Sequence, residues 1–285
     1  MTITLRIGER PSRRRLSHAW SGRFQLALEG DRTDGWTIRC GDEVAIECDP
    51  SGSTLDCTCR DSAVVGKLRE ILSRRVLPRL AWLHGRLPVH GASLVQRDGA
   101  VLMLGWSGAG KSTLTAAMAA AGWDILSDDM SILSGAEDPH VWQTAPGVSV
   151  WEPSRRGLGL PLEACRPIDG YNGKYWYAPP QRRHAAPVPI RAVLFLSSGG
   201  AAVDWARVTG PRAAIMAASQ MVRFDPGDRG ATAKGLECLT RLVAGMPCYT
   251  FRQPHSYDML PSTIDAVSTI YDDATSTSPL RSLAR

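Results

Sequence analysis

Long apolar runs are missing from this 285-residue chain. No uninterrupted stretch of about 18 apolar residues occurs, so no membrane-spanning helix and no membrane partner are expected. The opening residues, Met1-Thr-Ile-Thr-Leu-Arg6, lack the charged start, apolar core and small-residue cleavage site of a secretory signal. Cysteine is odd in number, at seven, which does not suit a disulfide framework. Cys57-Thr-Cys59 is too closely spaced for a zinc site and has no second ligand pair. Reduced thiols in a cytoplasmic protein are the simplest expectation. Neither sign of charge dominates: 33 Lys and Arg against 28 Asp and Glu leave a net charge of +5. No aromatic and basic residues interleave as in a nucleic-acid motif, so no nucleic-acid partner is expected. Arg10 and Arg13-Arg14-Arg15 form a basic cluster that reads as a solvated loop or as a contact to an anionic partner. What is present, 44% hydrophobic and 21% charged residues without an internal repeat, suits one large globular domain or two modest ones.

Residues 1–60 form a small β-rich N-terminal module by their polarity pattern. Phe24–Leu28, Trp36–Cys40, Val44–Cys48 and Thr54–Thr58 alternate as half-buried strands do, between turns rich in Gly, Asp and Pro. An antiparallel sheet is expected. Asp61 to about His84 has helical spacing of Val64, Val65, Leu68, Ile71, Leu72 and Val76, with Pro78 as a breaker or kink. Leu87–Val95 and Val101–Leu104 flank Asp98-Gly99, a hairpin signal that pairs the two strands antiparallel. Residues 146–189 are rich in Pro, Gly, Arg and aromatics, and read as a long irregular region of the kind that forms lids or binding loops. Beyond it, Ile190–Leu196 and Pro247–Phe251 read as strands, and Pro211–Phe224, Thr232–Ala244 and Asp258–Tyr271 as helices. The division expected is a module over 1–60, a catalytic domain over 61–272 and a flexible tail over 273–285.

Gly105-Trp-Ser-Gly-Ala-Gly-Lys-Ser-Thr113 is a complete G-x-x-x-x-G-K-[ST] phosphate-binding loop. Gly105, Gly108 and Gly110 let the backbone of the loop, including Ser107 and Ala109, wrap with its N–H groups inward as an anion nest. A strand, Val101–Leu104, precedes it, and an Ala- and Leu-rich helix, Leu114–Ala121 ending at Gly122, follows. That helix turns its N-terminal N–H groups, Thr113 included, toward the same phosphates. Lys111 is expected to place its charge on the β- and γ-phosphates of ATP, and the Ser112 hydroxyl to ligate Mg²⁺.

Asp128 and Asp129 follow the helix after Trp123–Ser127, near the end of an expected strand. One carboxylate can serve Mg²⁺ and the other can take a proton from a hydroxyl being phosphorylated. Neighbours on a strand point to opposite faces, so the two should differ in role.

Val89-His90-Gly91-Ala92, the loop, and Ser127-Asp128-Asp129 occur in an order and spacing that resemble the HPr kinase/phosphorylase family over residues 80–260. The resemblance implies an α/β fold: a P-loop kinase core of the HPr kinase and phosphoenolpyruvate carboxykinase type. It implies phosphorylation of a serine hydroxyl, with Asp128 as acid/base, Asp129 in metal binding or orientation, and His90 setting their protonation. The chain departs from the bifunctional members. Their Glu-Ile-Arg-Gly-Leu-Gly-like segment is matched only by Arg156-Gly-Leu-Gly159, with Glu152 displaced, and the N-terminal module is shorter than their regulatory domain. Phosphorylase activity and carbon-source sensing are therefore not implied. The layout is closer to compact HPr-kinase-like proteins, among them kinases that phosphorylate the C-terminal serine of lasso-peptide precursors. Their Gly-Lys element would be Gly173-Lys174, with Lys174 neutralising charge on the transferring phosphoryl group. Arg155, Arg156, Arg182 and Arg183 are phosphate-contact candidates by the fork of donors that arginine carries. The segment 171–177 is where acceptor recognition is expected.

The partner expected is thus a peptide or small protein, such as a lasso-type precursor. A small-molecule hydroxyl as acceptor, a nucleotide-dependent regulatory protein with little turnover, and a nucleic-acid-stimulated ATPase are the alternatives. A homo-oligomer is implied only by relatives with full regulatory domains, which form hexamers.

Overall fold

A computed structural model describes residues 1–9, 11–20, 24–135 and 139–276. It is a mixed α/β protein in two compact units, Met1–Arg86 with Arg223–Ala233, and Leu87–Val222 with Lys234–Arg285. The expected boundary near residue 60 is replaced by one at Arg86, because the helical segment after the N-terminal strands packs with them.

In the first unit, β1 (Thr2–Ile7), β2 (Leu16–Trp20), β3 (Leu26–Asp31), β4 (Gly35–Cys40), β5 (Val44–Cys48) and β6 (Thr54–Cys59) form one sheet in the order β1-β6-β5-β4-β3-β2. It is antiparallel except that β1 runs parallel to β6. β1 and β2 were not legible in the polarity pattern, since their side chains are mostly exposed on both faces. Ile38, Ile46, Leu55 and Cys57 are buried, and so are Val64, Leu68 and Ile71 of the segment that follows the sheet. That segment, α1 (Val65–Ile71), a π-helical turn (Leu72–Val76) and α2 (Leu77–Leu80), shows how Pro78 is tolerated. The Leu77 N–H reaches back to Leu72 O, and Pro78 follows this widened turn directly, at the start of α2.

The basic cluster has a structural task in this unit. The Arg14 N–H donates to Glu29, and the Arg39 guanidinium donates to Glu29 at 2.9 Å. Burial raises the Glu29 pKa, but these two donors outweigh it and hold the carboxyl below its ordinary value. Arg13 pairs with Asp42, and Arg10 lies outside the described residues. Cys57 and Cys59 are packed thiols of β6, and burial pushes Cys57 up to about 11.

The second unit is built on β7 (Leu87–Gln96), β8 (Gly99–Leu104), α3 (Lys111–Ala120), β9 (Asp124–Ser127), β10 (Met130–Leu133) and β11 (His140–Trp142). β12 (Val148–Trp151), α3's neighbour α4 (Glu152–Gly157), β13 (Cys165–Pro167), β14 (Lys174–Tyr177), β15 (Val188–Ser198) and β16 (Asp204–Arg207) follow. The chain ends with α5 (Gly210–Ala218), α6 (Arg229–Gly245), β17 (Cys248–Gln253) and α7 (Leu260–Ser276). The main sheet runs β11-β10-β7-β8-β15-β17-β16, with β9 paired to β7. β8, β15 and β17 are parallel neighbours, so their carboxyl ends lie along one edge, where open α/β sheets bind ligands.

The β7–β8 hairpin is antiparallel as expected, but its turn residues are Arg97, at φ 56°, and Asp98, while Gly99 already pairs with Gln96. The pairing of β7 changes along its length. Leu87–His90 face β10, and Gly91–Gln96 face β8. His90 and Gly91 stand at that change. A Cβ on Gly91 would lie 2.8 Å from Met103 O and 2.7 Å from Leu104 Cδ2, so only glycine allows the strands to approach here.

Residues 146–189 are not the irregular region expected. β12, β14 and β13 form a three-stranded antiparallel sheet, and Val148, Val150, Leu160 and Cys165 join the core. The strands are three to four residues each, too short for periodicity to appear in the sequence. Between β14 and β15 the Gln181 amide both accepts from the Ile125 N–H and donates to Ile125 O, standing in for a strand on β9. The core under α3 and α7 is closed by Trp123 packed edge-on against Tyr271 at 5.3 Å. Helix α7 continues to Ser276, so the part of the expected tail up to that residue is helical, and residues 277–285 lie outside the description. Among the described residues, no helix is long and apolar enough to cross a membrane.

Candidate active site

The glycine-rich loop leaves the carboxyl end of β8 and enters α3 at Gly110. Gly108 and Gly110 have φ of 86° and 85°, left-handed values that glycine adopts without strain. Gly110 is also the N-cap of α3 and has no side chain to cap the first N–H groups of the helix, which suits them to an anion. The helix closes as a Schellman motif: the Gly122 N–H reaches Ala119 O and the Trp123 N–H reaches Met118 O.

Neighbouring strands pin the loop from below. The Gln253 amide at the end of β17 donates to Ala109 O at 2.8 Å, and a Cβ on Gly110 would sit 2.4 Å from that amide nitrogen. A Cβ on Gly105 would sit 2.7 Å from Leu196 O of β15. Gly105 and Ala109 therefore hold the loop to the sheet, whereas Ser107, Gly108, Gly110, Lys111, Ser112 and Thr113 line a cleft of about 350 Å³.

Lys111 is buried. Its ammonium donates to Gly105 O at 2.5 Å and Trp106 O at 3.2 Å, and lies 3.1 Å from His90 Nε2. Burial pushes its pKa below the ordinary lysine value; the nearby charges of Asp129 and Asp128 act in the opposite direction without cancelling it. An ammonium only donates, so a charged Lys111 requires His90 Nε2 to accept. The ring proton then sits on Nδ1, which is 3.6 Å from Asp129 Oδ1. Lys111, His90 and Asp129 thus form one polar chain across the cleft.

Asp128 and Asp129 are not within a strand but in the bend between β9 and β10. The expectation that they point to opposite faces fails for that reason, and both line the cleft. They differ in setting. Asp128 is buried, and its Oδ2 accepts the Ser149 N–H at 2.9 Å; the Asp129 side chain is 39% exposed. The bend is anchored below by buried hydroxyls: Ser127 contacts Ser93 at 2.7 Å and Ser131 at 2.6 Å.

Lys174 comes to the same cleft from β14, paired in register with Trp151. Its ammonium lies 5.3 Å from the Trp151 ring centre and 4.8 Å from that of Tyr171, within cation–π range. The four candidate arginines do not join. Arg155 and Arg156 are both bound to Glu152, at 2.8 and 2.6 Å, and none of the four lines the cleft. Glu152 is correspondingly held at about 2 by these guanidinium hydrogen bonds.

Several residues of the site carry no sequence signal. Ser149 orients Asp128, Gln253 holds the loop, and Ser154 contacts the Thr113 hydroxyl at 2.9 Å. Residues 253–257 and Leu260 form a wall of the cleft although they lie far downstream of the loop in the chain. Among the described residues, no group of three or more His, Cys, Asp or Glu is placed to hold a metal ion by itself. Two hard oxygen donors, Ser112 and Asp129, do line the cleft together. No protein-family model matches this chain, and no curated protein matches it.

Proposed function

We propose that this chain is an ATP- and Mg²⁺-dependent kinase with a P-loop core of the HPr kinase type, transferring a phosphoryl group to a serine hydroxyl of a peptide or small protein. The observation that carries the reading is the convergence, in one cleft, of the glycine loop with Lys111, His90, Asp128, Asp129 and Lys174. The cleft fits a triphosphate. Its loop ends at Gly110, which leaves the first N–H groups of α3 without a side-chain cap, and its cations are the buried Lys111 and the aromatic-flanked Lys174. Mg²⁺ would be held by Ser112 and Asp129 with phosphate oxygens and water, and would neutralise charge on the phosphates.

The chain's own residues supply positioning and proton transfer. Asp128, fixed by the Ser149 N–H, takes the proton of the acceptor hydroxyl. The hydroxyl oxygen bonds to the γ-phosphorus as the bond to the leaving β-phosphate oxygen breaks, giving a phosphoserine and ADP. His90, as the Nδ1–H tautomer, keeps Asp129 oriented and Lys111 at the loop. Lys174 meets the charge that develops on the transferred group. Trp151 and Tyr171 beside it, the former half exposed, offer apolar surface to a peptide acceptor. A cytoplasmic location belongs to the same proposal.

The test is Asp128→Asn. With ATP, Mg²⁺ and serine-containing peptides, mass spectrometry should show one added phosphate with the unaltered chain. The variant should lose at least about a hundredfold in rate, the usual scale of general-base removal, while nucleotide affinity stays within a fewfold. ATP binding without transfer to any peptide or small-molecule alcohol would instead favour a regulatory nucleotide-binding protein.

A further inference from the structure

We infer that Tyr257 and the wall segment around it form the nucleoside subsite of the cleft, with the Tyr257 ring as the surface on which the nucleobase stacks. This rests on the nucleotide reading above and extends it to residues that no motif marks.

The first observation is direction. From the start of α3, Lys111 turns toward His90, with Asp129 beyond it. Two residues on, the Thr113 hydroxyl contacts Ser154 Oγ at 2.9 Å, and the Tyr257 hydroxyl donates to the same Ser154 oxygen at 3.5 Å. Transfer chemistry belongs at the end with the carboxylates, so the terminal phosphate lies there. The rest of a nucleotide then leaves the loop by the other end, past Thr113 and along the hydroxyls of Ser154 and Tyr257.

The second observation is how Tyr257 is held. It lies in the 3₁₀ turn Tyr257–Met259 ahead of α7 and lines the cleft with His255 and Leu260. Gly157, the last residue of α4, backs its ring so closely that a Cβ there would lie 2.4–2.5 Å from three ring carbons. This accounts for Gly157 in the Arg-Gly-Leu-Gly segment: glycine is needed to seat an aromatic ring. The ring is fixed on one side by backbone, yet Tyr257 remains 39% exposed. A rigid ring with its free side on the cleft loses little on binding and accepts the π-face of a base.

The experiment uses the full chain with Mg²⁺ and compares equilibrium affinity for ATP with that for inorganic tripolyphosphate. The unaltered chain should bind ATP more tightly. Tyr257→Ala should weaken ATP by roughly ten- to a hundredfold, the scale of one base–aromatic stack, and leave tripolyphosphate unchanged. Tyr257→Trp should retain ATP affinity. Gly157→Ala, which displaces the ring without removing it, should show the same selective loss as Tyr257→Ala. Equal weakening of both ligands in Tyr257→Ala, or equal affinity of the unaltered chain for both, overturns the subsite and leaves the kinase reading standing. Failure of the unaltered chain to bind either ligand overturns the kinase reading itself, and the subsite with it.

Discussion

At the scale of single residues the cleft is governed by a buried cation. Lys111 donates to two loop carbonyls and approaches His90, so its charge is met mainly by neutral groups. Desolvation therefore lowers its pKa from the ordinary 10.5, against the opposing charges of Asp129 and Asp128. The consequence for stability has a definite sign. Below the folded-state pKa both folded and unfolded lysine are charged, and burial of the charge works against folding. Between the folded-state pKa and 10.5 the unfolded chain binds more protons, so stability rises with pH in that window. Lys111→Met removes this increment. Denaturant unfolding of both proteins, compared from neutral pH to about 10.5, should show the stability of the unaltered chain gaining on the variant as pH rises. A constant difference would mean that Lys111 is not desolvated in the free protein. On the proposed nucleotide reading the variant should also lose affinity for ATP, because phosphate charge would offset burial of the ammonium.

At the scale of elements, α4 shows what the sequence made legible and what it hid. Arg155 and Arg156 stand out in the chain as phosphate ligands, but Glu152 lies one helical turn before them and takes both. The pairing depends on Glu152–Gly157 being a helix, and a six-residue helix opening with Glu-Pro carries no periodic signal. By contrast, the loop and its flanks were readable because a contiguous motif fixes strand, turn and helix together. The β7–β8 pairing followed from two apolar runs around a tight turn. Ser149, Ser154, Gln253 and Tyr257 were not readable, since each acts through a contact made in three dimensions by strands and turns remote in sequence. The Glu152 pairing has its own pH dependence. The carboxyl is held at about 2 against an ordinary 4.5, so its contribution is complete above 4.5 and disappears as pH falls toward 2. A carboxyl ¹³C NMR titration should find Glu152 still ionised at pH 3, and Glu152→Gln should remove its share of the acid sensitivity between those limits.

At the scale of the whole molecule, the contributors to the cleft fall on one side of the division of the chain. Every lining residue lies between His90 and Ser154, at Lys174, or between Gln253 and Leu260, all within the second unit. The loop is tied to β15 and β17 through Leu196 and Gln253, and α3 packs in the core that Trp123 and Tyr271 close. A ligand that fills the cleft and binds only the folded form must therefore stabilise this unit by mass action. At a hundred times its dissociation constant the gain is about 2.7 kcal/mol, independent of which contacts supply it. Hydrogen exchange in the presence of ATP and Mg²⁺ should slow the amides of β8, β15, β17 and α3 that exchange through unfolding of the unit, by up to about a hundredfold. Lys111→Met should abolish the effect at the same ligand concentration. Protection confined to the loop, with the buried strands unchanged, would mean that the loop opens and closes separately from the sheet beneath it. The bond from Gln253 to Ala109 and the tight seating of Gly105 on Leu196 argue against such independence, because the loop cannot lift without breaking its contacts to both parallel strands.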